Sequence, residues 1–466
     1  MKNATFTAIV SAIALSASLA AAQTITPTRV GPVSQYGQLM TGKNSQGKGR
    51  IYGSCEGVKD GAEVQVRGMS LYWSLMDEAL EFWSEEGVTS MVNDMKIQIV
   101  RAAMATGTED WTKGKYVGYQ VQPDAQTNFM KTVVEAAIKQ DIYVIIDWHS
   151  HEANTQTQNA VKFFGEMAQK YGSYDNVIFE VFNEPKKVEW NVIKTYADAV
   201  VAEIRKYSDN LILVGTPEWD QYPNRAIGGE VSDPKNNTAY TFHYYSGTHC
   251  ISGMHPGNQY WACEGEHAME AMDAGLSVFV SEWGTTTSDG KGGVAGDNDG
   301  WQNWMNENKL SWANWSASKI PEGSAAFSDG ATKTSLQFTT SGNQVKGYLS
   351  SNAASYTKCP TGDNQQGQQG QGQQGQEQQG QGQQGQGTAS LLASPDFGLS
   401  VSFAGNSLRI SAPQAATVEI FNTLGNKIVA VDHVRGELSL AMLPTGQYMV
   451  RVRSGSASTM RAIAIK

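Results

Sequence analysis

Eight short apolar runs, each rich in β-branched or aromatic residues, recur along the chain: Val64–Gly68, Ile97–Val100, Ile142–Ile146, Val177–Phe182, Leu211–Val214, Ala239–Phe242, Ser277–Val280 and Leu310–Ala313. Runs of this length suit strands buried on both faces. Between them, Asn128–Lys139, Ala160–Lys170, Trp190–Lys206 and Gly300–Asn308 carry apolar residues at the spacing of amphipathic helices. This repeated alternation predicts a parallel sheet closed into a (β/α)8 or TIM barrel. A doubly wound open sheet would alternate in the same way, but no Gly-rich dinucleotide turn follows the first run.

Other segments divide the rest of the 466-residue chain. From 361 to 388 the sequence reduces mainly to Gln and Gly, which cannot build a core and predict a flexible linker. A single core rarely grows past roughly 250–300 residues, so a barrel domain over 23–360 and a separate domain over 389–466 is the expected layout. After the linker, apolar and polar residues alternate in Leu399–Phe403, Ala416–Phe421, Lys427–Val431, Gln447–Val452 and Met460–Ile465, with turn signals at Leu424-Gly425-Asn426 and Pro444-Thr445-Gly446. That pattern reads as a small antiparallel β-sandwich. At the other end, Lys2 precedes an apolar stretch from Ala8 to Leu15 and small residues at Ala20 and Ala22, the pattern of a secretory signal peptide over 1–22. A membrane span would need about 20 unbroken apolar residues.

Export makes disulfides permissible for the four cysteines, which allow three pairings. The spacing of Cys250 and Cys263 suits closure of one surface loop, leaving Cys55 and Cys359 to tie the ends of the barrel domain together. Free thiols are the alternative; no Cys-x-x-Cys or His spacing supports a metal site. A net charge of -10 argues against a nucleic-acid partner, because phosphate binding relies on a field of Lys and Arg. An uncharged substrate fits better. From Ala389 onward, however, seven Lys or Arg stand against four Asp or Glu, so the tail differs electrostatically from the barrel domain.

Active sites of (β/α)8 barrels lie at the carboxyl ends of the strands. Arg101 follows the second run, Asp147-Trp148-His149 the third, Asn183-Glu184-Pro185 the fourth, His243-Tyr244-Tyr245 the sixth, Glu282-Trp283-Gly284 the seventh and Asn314-Trp315 the eighth, with Trp219 just past the fifth. Taken singly, such a Glu is usually a solvated loop residue and such a Trp usually core. Their gathering at seven of eight strand ends is what points to a site. Glu184 and Glu282 across one barrel mouth suit double displacement at an anomeric carbon, which requires carboxyl groups about 5–5.5 Å apart. Arg101 and Tyr245 are expected to stabilise a charged Glu282, whereas Glu184 has no obvious cationic partner and is expected to hold its proton longer. The chain's 12 tryptophans suit stacking on sugar rings.

The run Val181-Phe182-Asn183-Glu184-Pro185, with Val280-Ser281-Glu282-Trp283-Gly284 farther on, resembles glycoside hydrolase family 5, and more narrowly its bacterial endoglucanase branch. Arg67-Gly68-Met69-Ser70, Ile145-Ile146-Asp147-Trp148-His149, the segment from Phe242 to His249 and Ser311-Trp312-Ala313-Asn314-Trp315-Ser316 extend the resemblance from about Gly31 to Tyr356. It implies that Glu184 is the acid/base and Glu282 the nucleophile, with Arg101 and Tyr245 positioning Glu282. It further implies that Asn183 bonds the sugar 2-hydroxyl, that His149 and His243 line the same subsite, and that Trp315 forms its floor. Trp219 resembles an aglycone-side platform, and Tyr72 and Trp73 are candidates for further subsites. Relatives usually carry Ser-Asp-Lys after the Trp; here Ser318-Lys319 lacks the Asp, and Lys319 is carried as a glycone-side ligand. The Cys250–Cys263 segment is longer than in close relatives. No cofactor is implied.

The tail from about Ser390 resembles the carboxyl-terminal sorting domains of type IX secretion, through Val418–Gly425 and Leu443–Tyr448. An inert β-domain or a carbohydrate-binding module is the alternative. Together these readings predict a monomeric retaining endo-β-1,4-glucanase, secreted or held at the cell surface, with a β-glucan as substrate and the secretion machinery as partner of the tail. A mannanase, xyloglucanase or lichenase on the same scaffold is the nearest alternative, and a non-catalytic glucan-binding protein the more distant one.

Overall fold

A computed structural model describes residues 24–55, 63–108, 114–253, 262–359 and, with short gaps, 400–465. The expected signal peptide and Gln/Gly linker lie outside the described residues. The chain divides into two compact units, 1–365 and 366–466.

In the first unit an antiparallel hairpin, β1 (Leu39–Lys43) and β2 (Gly49–Gly53), precedes the barrel strands β3 (Arg67–Leu71), β4 (Ile99–Ala105), β5 (Tyr143–His149), β6 (Val177–Glu180), β7 (Ile212–Val214), β8 (Thr238–Tyr245), β9 (Val278–Gly284) and β10 (Trp312–Ala317). Each pairs in parallel with the next, and β10 closes onto β3, so the expected TIM barrel is present. Helices cover the outside. The one over Glu85–Met95 illustrates why they form: the Ser84 hydroxyl caps it by accepting the Gly87 amide, and Val88, Met91, Val92 and Met95 fall on one buried stripe.

Period-two alternation carries the barrel from an apolar foot to a polar mouth. On β5, Val144, Ile146 and Trp148 pack outward into the large core beneath the helices, while Tyr143 and Ile145 join the inner core at the foot. Asp147 and His149 continue the same inward row. The hairpin residues Leu39 and Ile51 pack on that inner core and close the foot.

Several strands run farther than the apolar runs implied: β5 extends to His149, β8 to Tyr245, β9 to Gly284 and β10 to Ala317. On these four strands the polar residues expected just beyond the apolar runs are the last residues of the strand, whereas β6 stops at Glu180, short of Phe182, and leaves Asn183 and Glu184 on the loop that follows. Ladder bonding continues on the four because the mouth supplies buried partners for polar side chains. The first strand begins at Arg67 rather than Val64, since Val64 and Val66 belong to the lead-in packed on the inner core.

The second unit contains two antiparallel sheets, β11 (Ser400–Ala404), β12 (Ser407–Ser411) and β15 (Gly436–Ser439) in one, and β14 (Lys427–Val434), β13 (Ala416–Phe421), β16 (Gly446–Ser454) and β17 (Ala457–Ile465) in the other. Leu408, Val418, Ile420, Val450 and Val452 form its core. β12 and β15 are additions to the expected strands.

Candidate active site

Arg101 is the fixed centre of the barrel mouth. Fully buried on β4, it donates from Nε to Glu180 Oε2 at 2.6 Å, from Nη1 to Glu282 Oε2 at 2.8 Å and from Nη2 to Asn183 Oδ1 at 2.5 Å. Asp147 Oδ2 also lies 2.9 Å from Nη2 and receives His149 Nδ1 at 2.7 Å. Three carboxylates around one guanidinium more than offset the burial that opposes its charge.

Glu282 reaches this centre because β9 carries a bulge. Its register against β8 shifts between Thr241 and His243, so that His243 opposes Glu282. The extra residue lets both Ser281 and Glu282 face inward: Ser281 donates to Glu180 Oε1 at 2.6 Å, while Glu282 takes Arg101 on one oxygen and the Tyr245 hydroxyl, at 2.7 Å, on the other. Gly284 makes room for that phenol. A Cβ there would stand 2.2 Å from the Tyr245 ring.

Glu184 leaves β6 across the mouth, and its Oε1 lies 3.0 Å from His243 Nδ1. One oxygen of Glu184 and one of Glu282 approach within 4.8 Å of each other. The expectation that Glu184 lacks a cationic partner is corrected here, since His243 and, at 3.6 Å, His151 Nδ1 both face it. The expected ordering of acidities is reversed: against burial, His243 draws Glu184 below the usual carboxylate range, while burial and the Glu184 charge push Glu282 above it. The cause is a histidine brought over from β8, which spacing along the chain does not reveal.

Around the two glutamates lies an open cleft of about 560 Å³. On one side Trp315 stacks on His149 at 5.3 Å with 7° between the rings, and Tyr72 and Trp73 pack against this pair. On the other stands Trp219, with Lys186 and Gln221. Three successive residues, Glu218, Trp219 and Asp220, have φ of 55°, 56° and 62°, a left-handed run that non-glycine residues rarely adopt. The turn is closed by the Asp220 carboxylate, which accepts the Thr216 amide, and by the Trp219 amide, which donates to Pro185 O at 3.1 Å.

Eleven of the sequence-derived site residues line the cleft or lie directly beneath it and the four cysteines form two bridges, whereas Lys319 does not line the cleft. Its ammonium is drawn away from the cleft by the Glu81 carboxylate at 2.7 Å and Ala331 O at 3.2 Å, and Glu322 lines the cleft instead. Trp219 and Glu184 line the cleft directly, Arg101 and Asn183 lie beneath it. Cys55 pairs with Cys359 and Cys250 with Cys263, with Cα separations of 5.6 and 4.9 Å. Sequence reasoning passed over Glu180, Ser281, Asp220, His151 and Glu322. Glu180 ends an apolar strand, and a carboxylate in that position was the available signal. Among the described residues, Glu180, Asp220 and His243 bring metal-type atoms within 4.8 Å of one another, as do Glu184, His243 and Glu282, but Arg101, Ser281 and Tyr245 already occupy acceptor positions on Glu180 and Glu282.

Residues 58–320 match the cellulase family, glycosyl hydrolase family 5, and residues 404–466 match a secretion system C-terminal sorting domain. Endoglucanase Z of Dickeya dadantii is 40% identical over 306 residues, covering 63% of this chain and 66% of that protein. Endoglucanase A of Evansella cellulosilytica is 38% identical over 285 residues, covering 59% of this chain and 53% of that one. The chain thus spans between about half and two thirds of these relatives. A solved structure from Cytophaga hutchinsonii superposes with a TM-score of 0.59 at 35% identity, over 69% of this chain and 96% of that one. With its barrel, its paired glutamates and a family match over more than half its length, the chain belongs to glycosyl hydrolase family 5.

Proposed function

We propose that the chain is a secreted, retaining endo-β-1,4-glucanase. The observation that carries this reading is the approach of Glu184 and Glu282 to within 4.8 Å on the floor of an open, aromatic-walled cleft. That is the short spacing of double displacement; an inverting pair stands about 6.5–9.5 Å apart to admit a water. Glu282, oriented by Arg101 and Tyr245, attacks the anomeric carbon as the glycosidic bond breaks, and Glu184 gives its proton to the departing oxygen. Water then gives a proton back to Glu184 and displaces Glu282, restoring the β-anomer.

The acid step needs the opposite order of acidities, with Glu282 ionised and Glu184 protonated, so the proton must move to Glu184 as the sugar binds. Once Glu282 becomes an ester its charge no longer raises the proton affinity of Glu184, which suits Glu184 to act as base in the second step. Asn183 Nδ2 is buried without a hydrogen bond while its Oδ1 is tied to Arg101, which leaves a directed donor for a sugar 2-hydroxyl. Trp315 on β10 and Trp219 after β7 line the same cleft from well-separated strands of the closed barrel, which suits an internal cut in a long chain. The match to a sorting domain supports export, by type IX secretion, to the cell surface or the surrounding medium. The chain is taken to act as a monomer without a cofactor.

The test is a reducing-sugar assay on carboxymethylcellulose, mixed-linkage glucan, xyloglucan and mannan, with proton NMR of the first product. We expect highest activity on carboxymethylcellulose and an initial β-anomer. Preference for mannan would refute the substrate, and an initial α-anomer the mechanism.

A further inference from the structure

His243 has two ring nitrogens with different duties. Nε2 lies 2.9 Å from Ser281 Oγ, and that hydroxyl gives its own proton to Glu180 Oε1 at 2.6 Å, so Oγ must accept and Nε2 must carry a hydrogen. Nδ1 faces Glu184 Oε1 at 3.0 Å. With Nε2 protonated, Nδ1 is a donor to Glu184 only when the ring is a cation. A neutral ring would present a lone pair there and draw the Glu184 proton onto Oε1, the oxygen turned toward the histidine.

What sustains the cation has to come from the buried groups that face the ring. Glu180 is 3.9 Å from Nε2, but its oxygens are committed to Arg101 and Ser281. Glu282 stands beside His243 in the sheet register and is paired with Arg101, whose own charge opposes a second proton on the ring; burial and Arg101 keep the nearby His149 neutral, and a proton on His151 would act against His243 in the same sense as Arg101. Asp220 differs from these. It is fully buried, its Oδ1 takes the Thr216 amide, and its Oδ2 makes no hydrogen bond and lies 3.3 Å from His243 Nε2. The left-handed run at Glu218–Asp220 that projects Trp219 into the cleft also sends this carboxylate down behind the histidine. Burial, with the Glu184 and Glu180 charges, pushes the Asp220 carboxyl well above its ordinary range, so its ionised form depends on the imidazolium and the Thr216 amide, which act the other way.

We propose that Asp220 is a positioning residue for proton transfer: its carboxylate keeps His243 cationic, so that Nδ1–H remains a donor to Oε1 of Glu184 and the transferable proton is carried on Oε2. The direction of the His243 shift, upward with Asp220 the largest favourable influence, agrees with this geometry. The inference rests on Glu184 being the acid/base.

Asp220→Asn in the full chain keeps the side-chain volume and an oxygen for Thr216 but removes the charge. On cello-oligosaccharides kcat/KM should fall by about tenfold, and the alkaline limb of its pH profile should move down by about one unit. Glycosylation by 2,4-dinitrophenyl β-cellobioside, whose leaving group needs no proton, should stay within about twofold of wild type. The 15N resonances of His243, assigned against His243→Gln, should report both nitrogens protonated at pH 7 in the wild type and a neutral ring in D220N. An unmoved alkaline limb with unchanged ring nitrogens would overturn the proposal, as would equal losses on both substrates with an unchanged ring, the mark of a packing role. If D220N does not fold, the wild-type ring decides alone, because a neutral His243 at pH 7 contradicts the assignment. A chain inactive on every glucan would sink the proposed function while leaving the ring measurement to decide whether Asp220 charges His243.

Discussion

Asp147, Glu180 and Glu282 each place an oxygen within 2.9 Å of the Arg101 guanidinium. The geometry of Glu282 is therefore held by a shared cation rather than by its own loop. Glu282→Gln keeps the shape but removes the nucleophile, and Glu184→Gln removes the proton donor and base. Glu184→Gln should slow cellulose hydrolysis by about 10²–10⁴-fold, and Glu282→Gln by at least as much, with unfolding temperatures close to wild type. Near-normal turnover in either variant would refute the assignments. Arg101→Met is expected to act differently: with three carboxylates left buried around an apolar side chain, stability should drop by about 3–5 kcal/mol along with activity, which denaturant titration would measure. Glu184, Glu282, Arg101 and Tyr245 were legible from the sequence because each ends an apolar run at the barrel mouth. The pairing of Glu184 with His243 was not, because it spans 59 positions and depends on which way the β8 row faces.

At the scale of elements, apolar runs locate every barrel strand but misplace the ends, because the mouth-facing half of a strand such as β8 or β9 is polar by function. The β9 bulge that turns both Ser281 and Glu282 inward leaves no mark in composition. Nor do β12 and β15, short strands whose formation depends on partners more than on their own pattern. The connection from β7 to β8 shows how an irregular segment is held. Asp233 receives Arg205 through both carboxylate oxygens at 2.7 and 2.8 Å, and Arg205 also donates to Ser208 O, Asn210 O and Asn237 O. Burial opposes the charge, yet Arg205 and neighbouring amides hold the Asp233 carboxyl down to about 2. A depressed folded pKa means that the stabilisation is complete above the unfolded value, about 3.9, and disappears as pH falls through 2. Wild type should therefore exceed Asp233→Asn in unfolding free energy at neutral pH, and the gap should narrow by about 2 kcal/mol between pH 5 and pH 2. A gap constant across that range would show that the clasp works through hydrogen bonds alone.

For the whole molecule the question is whether catalysis needs the tail. The barrel closes between β3 and β10, all the cleft-lining residues lie between Tyr72 and Glu322, and the family match to cellulases ends at 320, well before the Gln/Gly stretch. In the second unit, Glu419 is engaged by Lys427 at 2.9 Å and Arg451 at 2.7 Å, so its charge serves the sheet. Composition marked the boundary between the two units, since Gln and Gly supply no apolar side chains for a core. A flexible Gln/Gly linker, which the composition of 361–388 predicts, transmits little energetic coupling. Ending the chain near Thr361 should accordingly leave kcat and KM on soluble glucan within about twofold of the full chain, since the Cys55–Cys359 bridge is retained. The sorting-domain match over 404–466 predicts a separate loss. In the native host, the truncated enzyme should accumulate active in the periplasm, and activity at the cell surface and in the medium should disappear. Truncated enzyme that still leaves the cell would remove the sorting role. If export persisted while binding to insoluble cellulose collapsed, the tail would instead be a carbohydrate-binding module.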